Sequence, residues 1–211
     1  MKKVYLVRHG ETNSNVSRAW QDPEEPLNDT GLAQAEQVAD RLRHLKVDRI
    51  ISSTMPRALQ TTEKIVAAQG MPFETSDLFR EIKVPTSLIA APFTEVTETP
   101  QQQFIAERVA HASEADWYFE DEENPTDFLL RVKSALAFLT EQSEDTLLVV
   151  THGGFLRCAL GYIITEGTCD ATDVYRFLKT IKTTNTGITV LEFSEGMWTL
   201  RVFNDHAHFA E

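Results

Sequence analysis

Two short stretches of this chain place reactive side chains where an apolar run ends. Val7-Arg8-His9-Gly10 and Val150-Thr151-His152-Gly153 share one grammar: apolar residues, then a basic or polar one, then histidine and glycine. In open α/β sheets ligands bind beyond the carboxyl ends of the strands, so both imidazoles fall where a site belongs. The glycine behind each lets backbone come close to a ligand. A third run, Arg49-Ile-Ile-Ser-Ser53, leads through Pro56 to Arg57. That places a guanidinium in the first turn of a helix, beside its positive terminus, a favourable arrangement for an anion.

These parts suit one chemistry. Arginine grips a phosphate through a planar two-pronged donor set that lysine cannot reproduce. Neutral imidazole is a nucleophile, and phosphorylating it divides one difficult displacement into two easier ones. Such a site needs charge stabilisation on the equatorial oxygens more than it needs a metal. The leaving alkoxide requires a proton, and Glu81, after the third candidate strand, is the expected donor. A carboxyl that donates near neutral pH needs its proton affinity raised by burial or neighbouring negative charge, which a dianionic substrate supplies. Glu95, Glu98, Glu120 and Glu123 are rival acids by position.

Each of these residues has a blander alternative. Arg57 can be read as a helix-surface ion pair, and Trp20, Arg80, Lys83 and Arg108 as either the rim of a substrate mouth or solvated surface. His111, His206 and His208 are read as non-catalytic, and Cys158 as a small core residue. A metal-dependent hydrolase needs ligand clusters, such as histidines one helical turn apart. His9 and His152 stand beside arginine and glycine with no adjacent carboxylate, so neither a metal nor a cofactor is expected.

The elements that must position these groups alternate between strand and helix. Lys3–Val7 and Thr146–Val150 are compact apolar runs of buried-parallel-strand type, and Arg49–Ser53 and Phe73–Thr75 supply shorter strands. A polar loop runs from Gly10 to Pro26. Thr30 then precedes a helix with Leu32, Ala35, Val38, Ala39, Leu42 and Leu45 on one face. Pro56 suits the first turn of a helix reaching Gln69, and Asn124-Pro125 starts another. An apolar helix follows His152, and Ile188–Phe193, Glu195-Gly196 and Trp198–Phe203 read as a hairpin. The alternation predicts one α/β layered domain over 1–211 with a largely parallel sheet. From about Lys83 to Asn124 the pattern blurs, with Pro85, Pro92, Pro100, the acidic run Glu120–Glu123 and one plausible helix, Gln101–Ala112. This stretch reads as an inserted cap lying over the sheet.

Composition narrows the partners. The 211 residues carry a formal net charge of −12. A surface that acidic repels nucleic acid and anionic membranes, so neither is an expected partner. It also repels a phosphorylated substrate at long range, so any phosphate site must be a local cationic pocket. Cys158 and Cys169 lack metal or redox spacing and read as reduced thiols, which with no signal or membrane-spanning run makes cytoplasmic the expectation. A monomer and a homodimer are both compatible with the sequence.

The stretch Val7-Arg-His-Gly-Glu-Thr12 resembles the signature of the histidine phosphatase superfamily, the phosphoglycerate mutase-like group. The likeness continues through Asn15, Pro26–Ala35, Ser52–Thr62, Leu78–Glu81, Val149–Gly154 and Asn185–Phe193 with Asn204, Asp205 and His208 behind it. It leaves out only about 83–124. Arg-His-Gly alone is weak, but five ordered motifs are specific. The resemblance implies a three-layer α/β/α sandwich and metal-free chemistry in which His9 accepts the phosphoryl group. Arg8, Arg57 and His152 would hold its oxygens, Asn15 and the Gly153 amide would complete the pocket, and Glu81 would serve as proton donor, then base. Where mutases carry a histidine–tyrosine–glycine run, this chain reads Ile82-Lys-Val-Pro-Thr86; where phosphatases often have Gly-Glu-Ser, it reads Glu122-Glu-Asn-Pro-Thr126. The chain is also shorter than typical mutases. The first and third differences favour a phosphatase of small phosphate monoesters over a mutase, and the second leaves its substrate unassigned; both histidines, both arginines and a candidate acid argue against a non-catalytic phosphate-binding module.

Overall fold

In the computed structural model, residues 1–90, 99–111 and 114–209 are described; Pro92, Glu95 and Glu98, together with Ala112 of the expected cap helix, lie outside them. Lys2–Arg8 forms the strand around which the sheet is built, β1. On one side of it follow Arg49–Ser52 (β2), Glu74–Thr75 (β3) and Thr146–Thr151 (β4), all parallel; on the other, Ile188–Ser194 (β5) and Met197–Asp205 (β6) form an antiparallel hairpin. The spatial order is β3-β2-β4-β1-β5-β6, so the sheet is mostly parallel, as the alternating pattern predicts.

Register decides where the chemistry sits. Arg8 lies opposite Thr151 and Ser52 opposite Val150, so β1, β4 and β2 end at one height. The ladder continues one step further, with the His9 amide donating to Thr151 O at 2.9 Å and the Ser53 amide to Val150 O at 2.9 Å. Three chain segments distant in sequence therefore leave the sheet side by side.

The period-2 geometry of strands sorts their side chains into two layers. Val4, Leu6, Leu147 and Val149 face a core shared with Pro125–Glu141 (α5), Gly153–Ile164 (α6) and Ala171–Thr180 (α7). Val7, Leu148 and Val150 face the other, shared with Asp29–Leu42 (α2) and Pro56–Gln69 (α3). Burial on both faces explains why β1 and β4 read as nearly continuous apolar runs. Each fully buried leucine or valine contributes about 1.5–3 kcal/mol, so a charge at Leu148 is expected to unfold the sheet.

Some elements differ from the sequence reading. The Gly10–Pro26 loop contains a five-residue helix, Asn13–Ser17 (α1), held by a reciprocal cap between Thr12 and Asn15. The helix expected after Thr30 starts at Asp29, because the Asn28 side chain accepts the Gly31 amide. α7 had no sequence assignment. The helix expected over Gln101–Ala112 is Pro100–Ala110 (α4), beginning with a Thr99/Gln102 capping box.

The described part of 83–124 begins and ends at one place: the Glu123 amide donates to Lys83 O at 3.0 Å, and Lys83 pairs with Asp121 at 3.0 Å. Its buried Leu88 and Phe104 belong to neither sheet core. Phe104 meets Trp20 edge-on, and Arg108 reaches over Phe104 and Tyr175. The segment thus stands beyond the strand ends, against the first loop and α7, rather than over a sheet face, because α2, α3 and α5 to α7 already cover both faces. Among the described residues no helix is long and apolar enough to cross a membrane. Cys158 and Cys169 are free and buried, and burial pushes the Cys158 thiol up to about 12.

Candidate active site

His9 leaves β1 fully buried, and its ring is fixed from behind. Nδ1 lies 2.6 Å from Gly10 O. A carbonyl only accepts, so Nδ1 carries the hydrogen and, in the neutral ring, Nε2 holds the lone pair. That Nε2 is buried and has no hydrogen-bond partner among the described residues. The loop behind it is tightly packed: a Cβ on Gly10 would stand 2.4 Å from Gly31 O in the first turn of α2. Asn185 Nδ2 donates to His9 O and to Asn15 Oδ1, both at 3.0 Å, joining the first loop to the start of the hairpin.

His152, also fully buried, caps α6 from the end of β4, with its ring centroid 5.0 Å from that of His9. Its Nε2 is 2.7 Å from Ser53 Oγ, which itself accepts the Met55 amide at 3.3 Å. With the serine proton directed at Nε2, the ring hydrogen sits on Nδ1, a buried atom without a partner among the described residues.

Arg8 and Arg57 flank the imidazoles. Arg57 is only 1% exposed, in the first turn of α3, and donates to Asp22 O at 3.0 Å and Pro23 O at 3.4 Å. Arg8 Nη1 donates to Thr183 O at 2.6 Å. Neither meets a carboxylate within ion-pair range among the described residues, and the Nε of each is buried and unsatisfied. The surface ion pair considered for Arg57 is therefore excluded by its burial. Burial lowers Arg8 to about 10, opposed by Glu81 and reinforced by Arg157 and Arg57. Burial, then the Arg57 charge, holds both histidines well below 6.5, so both are neutral at physiological pH. An uncompensated buried charge is costly, and a bound anion relieves that cost.

Glu81 is seated at the start of α6. Its carboxylate accepts the amides of Gly154 at 2.8 Å, Phe155 at 3.0 Å and Ile82 at 3.0 Å. A Cβ on Gly154 would lie 2.2 Å from Glu81 Oε1, so that glycine is required for the approach. Arg131 braces the segment by donating to the carbonyls of Leu78, Arg80 and Glu81 while gripping Glu123 with two bonds of 2.7 Å. Asn15 Oδ1 is occupied by Thr12 N and Asn185, which leaves its amide hydrogens for the cavity it lines. Gly153 lines the same space, with 3.2 Å between its virtual Cβ and Arg8 Nε.

The cavity over this rim measures about 1330 Å³, and Trp20, Arg80, Lys83 and Arg108 all line it. Arg108 is buried rather than solvated, paired with buried Glu122 at 2.5 Å. Of the rival acids, Glu123 is bound by Arg131 and Glu120 accepts the Ser87 hydroxyl. His111 stacks on Trp117, His206 contacts Asn204 O, and His208 contacts Thr186 Oγ1, all apart from the imidazole pair. Ser53, Asn185, Arg131 and Arg157 are parts of the site to which sequence reasoning gave no role. Ser53 meets His152 across 99 positions, Arg131 meets Leu78 across 53, Arg157 meets Leu178 across 21 and Asn185 meets His9 across 176, and polar residues carry no periodic signal.

The profile of the histidine phosphatase superfamily (branch 1) matches residues 4–206, and the chain belongs to that superfamily. A protein of Yersinia pestis named "Probable phosphoglycerate mutase GpmB" is 32% identical over 166 residues, which cover 78% of this chain and 75% of that protein. Among solved structures, a phosphoserine phosphatase from Entamoeba histolytica in complex with phosphoserine superposes with a TM-score of 0.78 at 22% identity, covering 99% of this chain and 100% of that one. Bacillus stearothermophilus YhfR reaches a TM-score of 0.80 at 24% identity, with 99% of each chain covered. These structural likenesses speak for the fold.

Proposed function

We propose that this protein hydrolyses small-molecule phosphate monoesters through a phosphohistidine on His9. One observation carries the reading: His9 Nε2, Arg8 Nε, Arg57 Nε and His152 Nδ1 are all buried without partners among the described residues, where β1, β2 and β4 end. They amount to one lone pair and three donors, the complement of a transferring PO₃ group with its three equatorial oxygens.

In the first half-reaction His9 Nε2 attacks phosphorus and the ester P–O bond breaks, its electron pair leaving on the alcohol oxygen. Protonated Glu81 gives that oxygen its proton, exchanging one of its amide bonds for the ester oxygen. Gly10 O stabilises the charge gained by the ring through the Nδ1 hydrogen. Asn15 and the Gly153 amide add donors beside the two guanidiniums. In the second half-reaction water attacks the phosphoryl group, Glu81 takes its proton, and the P–N electron pair returns to Nε2. No step here requires a metal.

The test is phosphate release from a chromogenic aryl phosphate by wild type and His9→Ala, each before and after exhaustive chelation. Wild-type turnover that survives chelation and disappears with His9→Ala supports the mechanism; unaltered release by the variant refutes it. The mutase reading is favoured by the 32% identity to the Yersinia protein. It requires isomerisation of a phosphorylated substrate dependent on a bisphosphate primer, exceeding phosphate release. A preference for phosphopeptides would contradict the small-molecule assignment.

A further inference from the structure

The mechanism leaves one group of polar residues unused: Asn204, Asp205 and His208, at and just beyond the end of β6. None of the three lines the cavity. They pack instead against the segment 183–187, and that segment holds the start of the first loop by its backbone. Gly187 O accepts the Arg8 amide at 3.2 Å, and the Thr186 amide donates to Arg8 O at 3.0 Å and to His9 O at 3.3 Å. Thr183 O accepts Arg8 Nη1 at 2.6 Å, and Asn185 Nδ2 donates to His9 O at 3.0 Å.

Thr186 is at odds with its own backbone. Its φ is 54°, in the left-handed region, where a β-branched residue is an outlier. Such strain persists only where the surroundings over-determine the conformation, and it gathers at functional sites. Thr186 is fully buried, and among the described residues its hydroxyl has one contact: Oγ1 lies 2.9 Å from His208 Nε2. His208 is anchored in turn. Asp205 pairs with Arg41 of α2 and accepts the Ala207 amide at 3.0 Å. Asn204 accepts the Thr184 amide at 2.7 Å and donates to Thr184 Oγ1 at 3.0 Å. Burial, then the Arg41 charge and His206, lowers His208 below 6.5 against the opposing pull of Asp205, so its ring is neutral at physiological pH.

We propose that His208 is a positioning residue for the transfer on His9: through the Thr186 hydroxyl it fixes the amide that holds the Arg8 and His9 carbonyls, and so aims His9 Nε2. This rests on the phosphatase reading above. The His9 ring is fully buried and tied through Nδ1 to Gly10 O, so it turns with its own backbone, and a shift of the Thr186 amide is passed on to Nε2. A misplacement of about 1 Å that starts far from the reacting atoms costs about 10²-fold in rate.

The test measures kcat and KM for an aryl phosphate in wild type, His208→Ala, His208→Gln and Thr186→Val. Glutamine places an amide where Nε2 stands, and valine keeps the threonine shape without its hydroxyl. His208→Ala and Thr186→Val should each lower kcat by about 10- to 100-fold with KM nearly fixed, because Arg57 and His152, on other segments, still bind the phosphate. His208→Gln should restore most of the rate. The double variant, His208→Ala with Thr186→Val, should be no slower than either alone, since both remove one contact. A merely structural role would lower the melting temperature and leave kcat of the folded enzyme unchanged. A kcat for His208→Ala within about twofold of wild type, no rescue by glutamine, or additive losses in the double variant overturns the proposal while leaving the dependence on His9 intact. If His208→Ala fails to fold, Thr186→Val decides by the same kcat, and an unchanged value overturns it. If wild type hydrolyses no ester, the phosphatase reading fails instead. Nitrogen NMR of the His9 ring then reads the positioning alone. The single tautomer with hydrogen on Nδ1 should persist in wild type and His208→Gln and give way to a mixture in His208→Ala and Thr186→Val; identical spectra in all four would overturn it.

Discussion

The two buried-arginine regions of this molecule are built in opposite ways. Around the 83–124 segment, Arg108 and Glu122, each 5% exposed, neutralise one another, and Arg131 grips Glu123 with two bonds. At the strand ends, Arg57 is more deeply buried still, yet among the described residues it and Arg8 hydrogen-bond only to carbonyl oxygens and, for Arg57, the Met55 sulfur. The first arrangement is closed and holds a segment in place. The second is open: its charge is complete only with something from outside. Burial of a charge alone therefore does not mark a site here; burial without a matching carboxylate does.

Substitutions at the two regions should separate stability from turnover. Arg57→Met removes an unmatched charge and keeps an apolar stem, so melting temperature should move little while kcat/KM for any phosphate ester falls by about 10³-fold or more, since such arginines act on transition-state charge. Glu122→Ala should do the reverse. Stranding Arg108 is expected to cost about 3–5 kcal/mol in denaturant unfolding, while His9 chemistry persists in the folded fraction. If Arg57→Met unfolds the protein and Glu122→Ala only slows it, the contrast between the regions is wrong.

That contrast is only half visible in the sequence. The strand ends are legible because strands buried on both faces give continuous apolar runs, and the reactive residues follow them directly: Val7 then Arg8-His9, Val150 then Thr151-His152. The helix expected from Pro56 towards Gln69 is present as Pro56–Gln69, since proline suits the first helical turn. The 83–124 segment is not legible in the same way. Its stabilising pair consists of charged residues, which read as solvated, and its position depends on Phe104 meeting Trp20 across 84 positions. α1 was missed because five residues carry no apolar period, although Thr12 and Asn15 are the capping signal. Ser53 lies at the end of an apolar run, but its role appears only once β2 and β4 stand side by side.

Smaller effects sharpen the assignment of roles. Glu81→Gln should slow alkyl phosphates by about 10²- to 10⁴-fold but aryl phosphates with good leaving groups far less, because only the former need a proton in the bond-breaking step. Equal losses for both ester types would remove Glu81 as the acid. Ser53→Ala frees His152 to take either tautomer and should reduce kcat about tenfold with KM nearly fixed; replacement by Thr, which keeps the hydroxyl, should restore it.

The pH dependence of stability follows from the two neutral histidines. Their folded pKa values lie well below 6.5, so below that pH the unfolded chain binds protons that the folded chain refuses. Their contribution is complete above pH 6.5 and is lost as pH falls from there towards the depressed values. The slope should be up to about 1.4 kcal/mol per pH unit for each imidazole. Urea unfolding between pH 7 and 5 should show a shallower slope for His152→Asn than for wild type.

The central claim, a covalent phosphoryl group on His9, is tested most directly by rapid quenching. Wild type mixed with a ³²P-labelled ester and stopped within milliseconds should yield labelled protein that is stable to alkali, labile to acid, and mapped by peptide sequencing to the fragment containing His9. His9→Ala should carry no label. Turnover without any labelled protein on the catalytic timescale, or label on His152 or a carboxylate instead, would contradict the account.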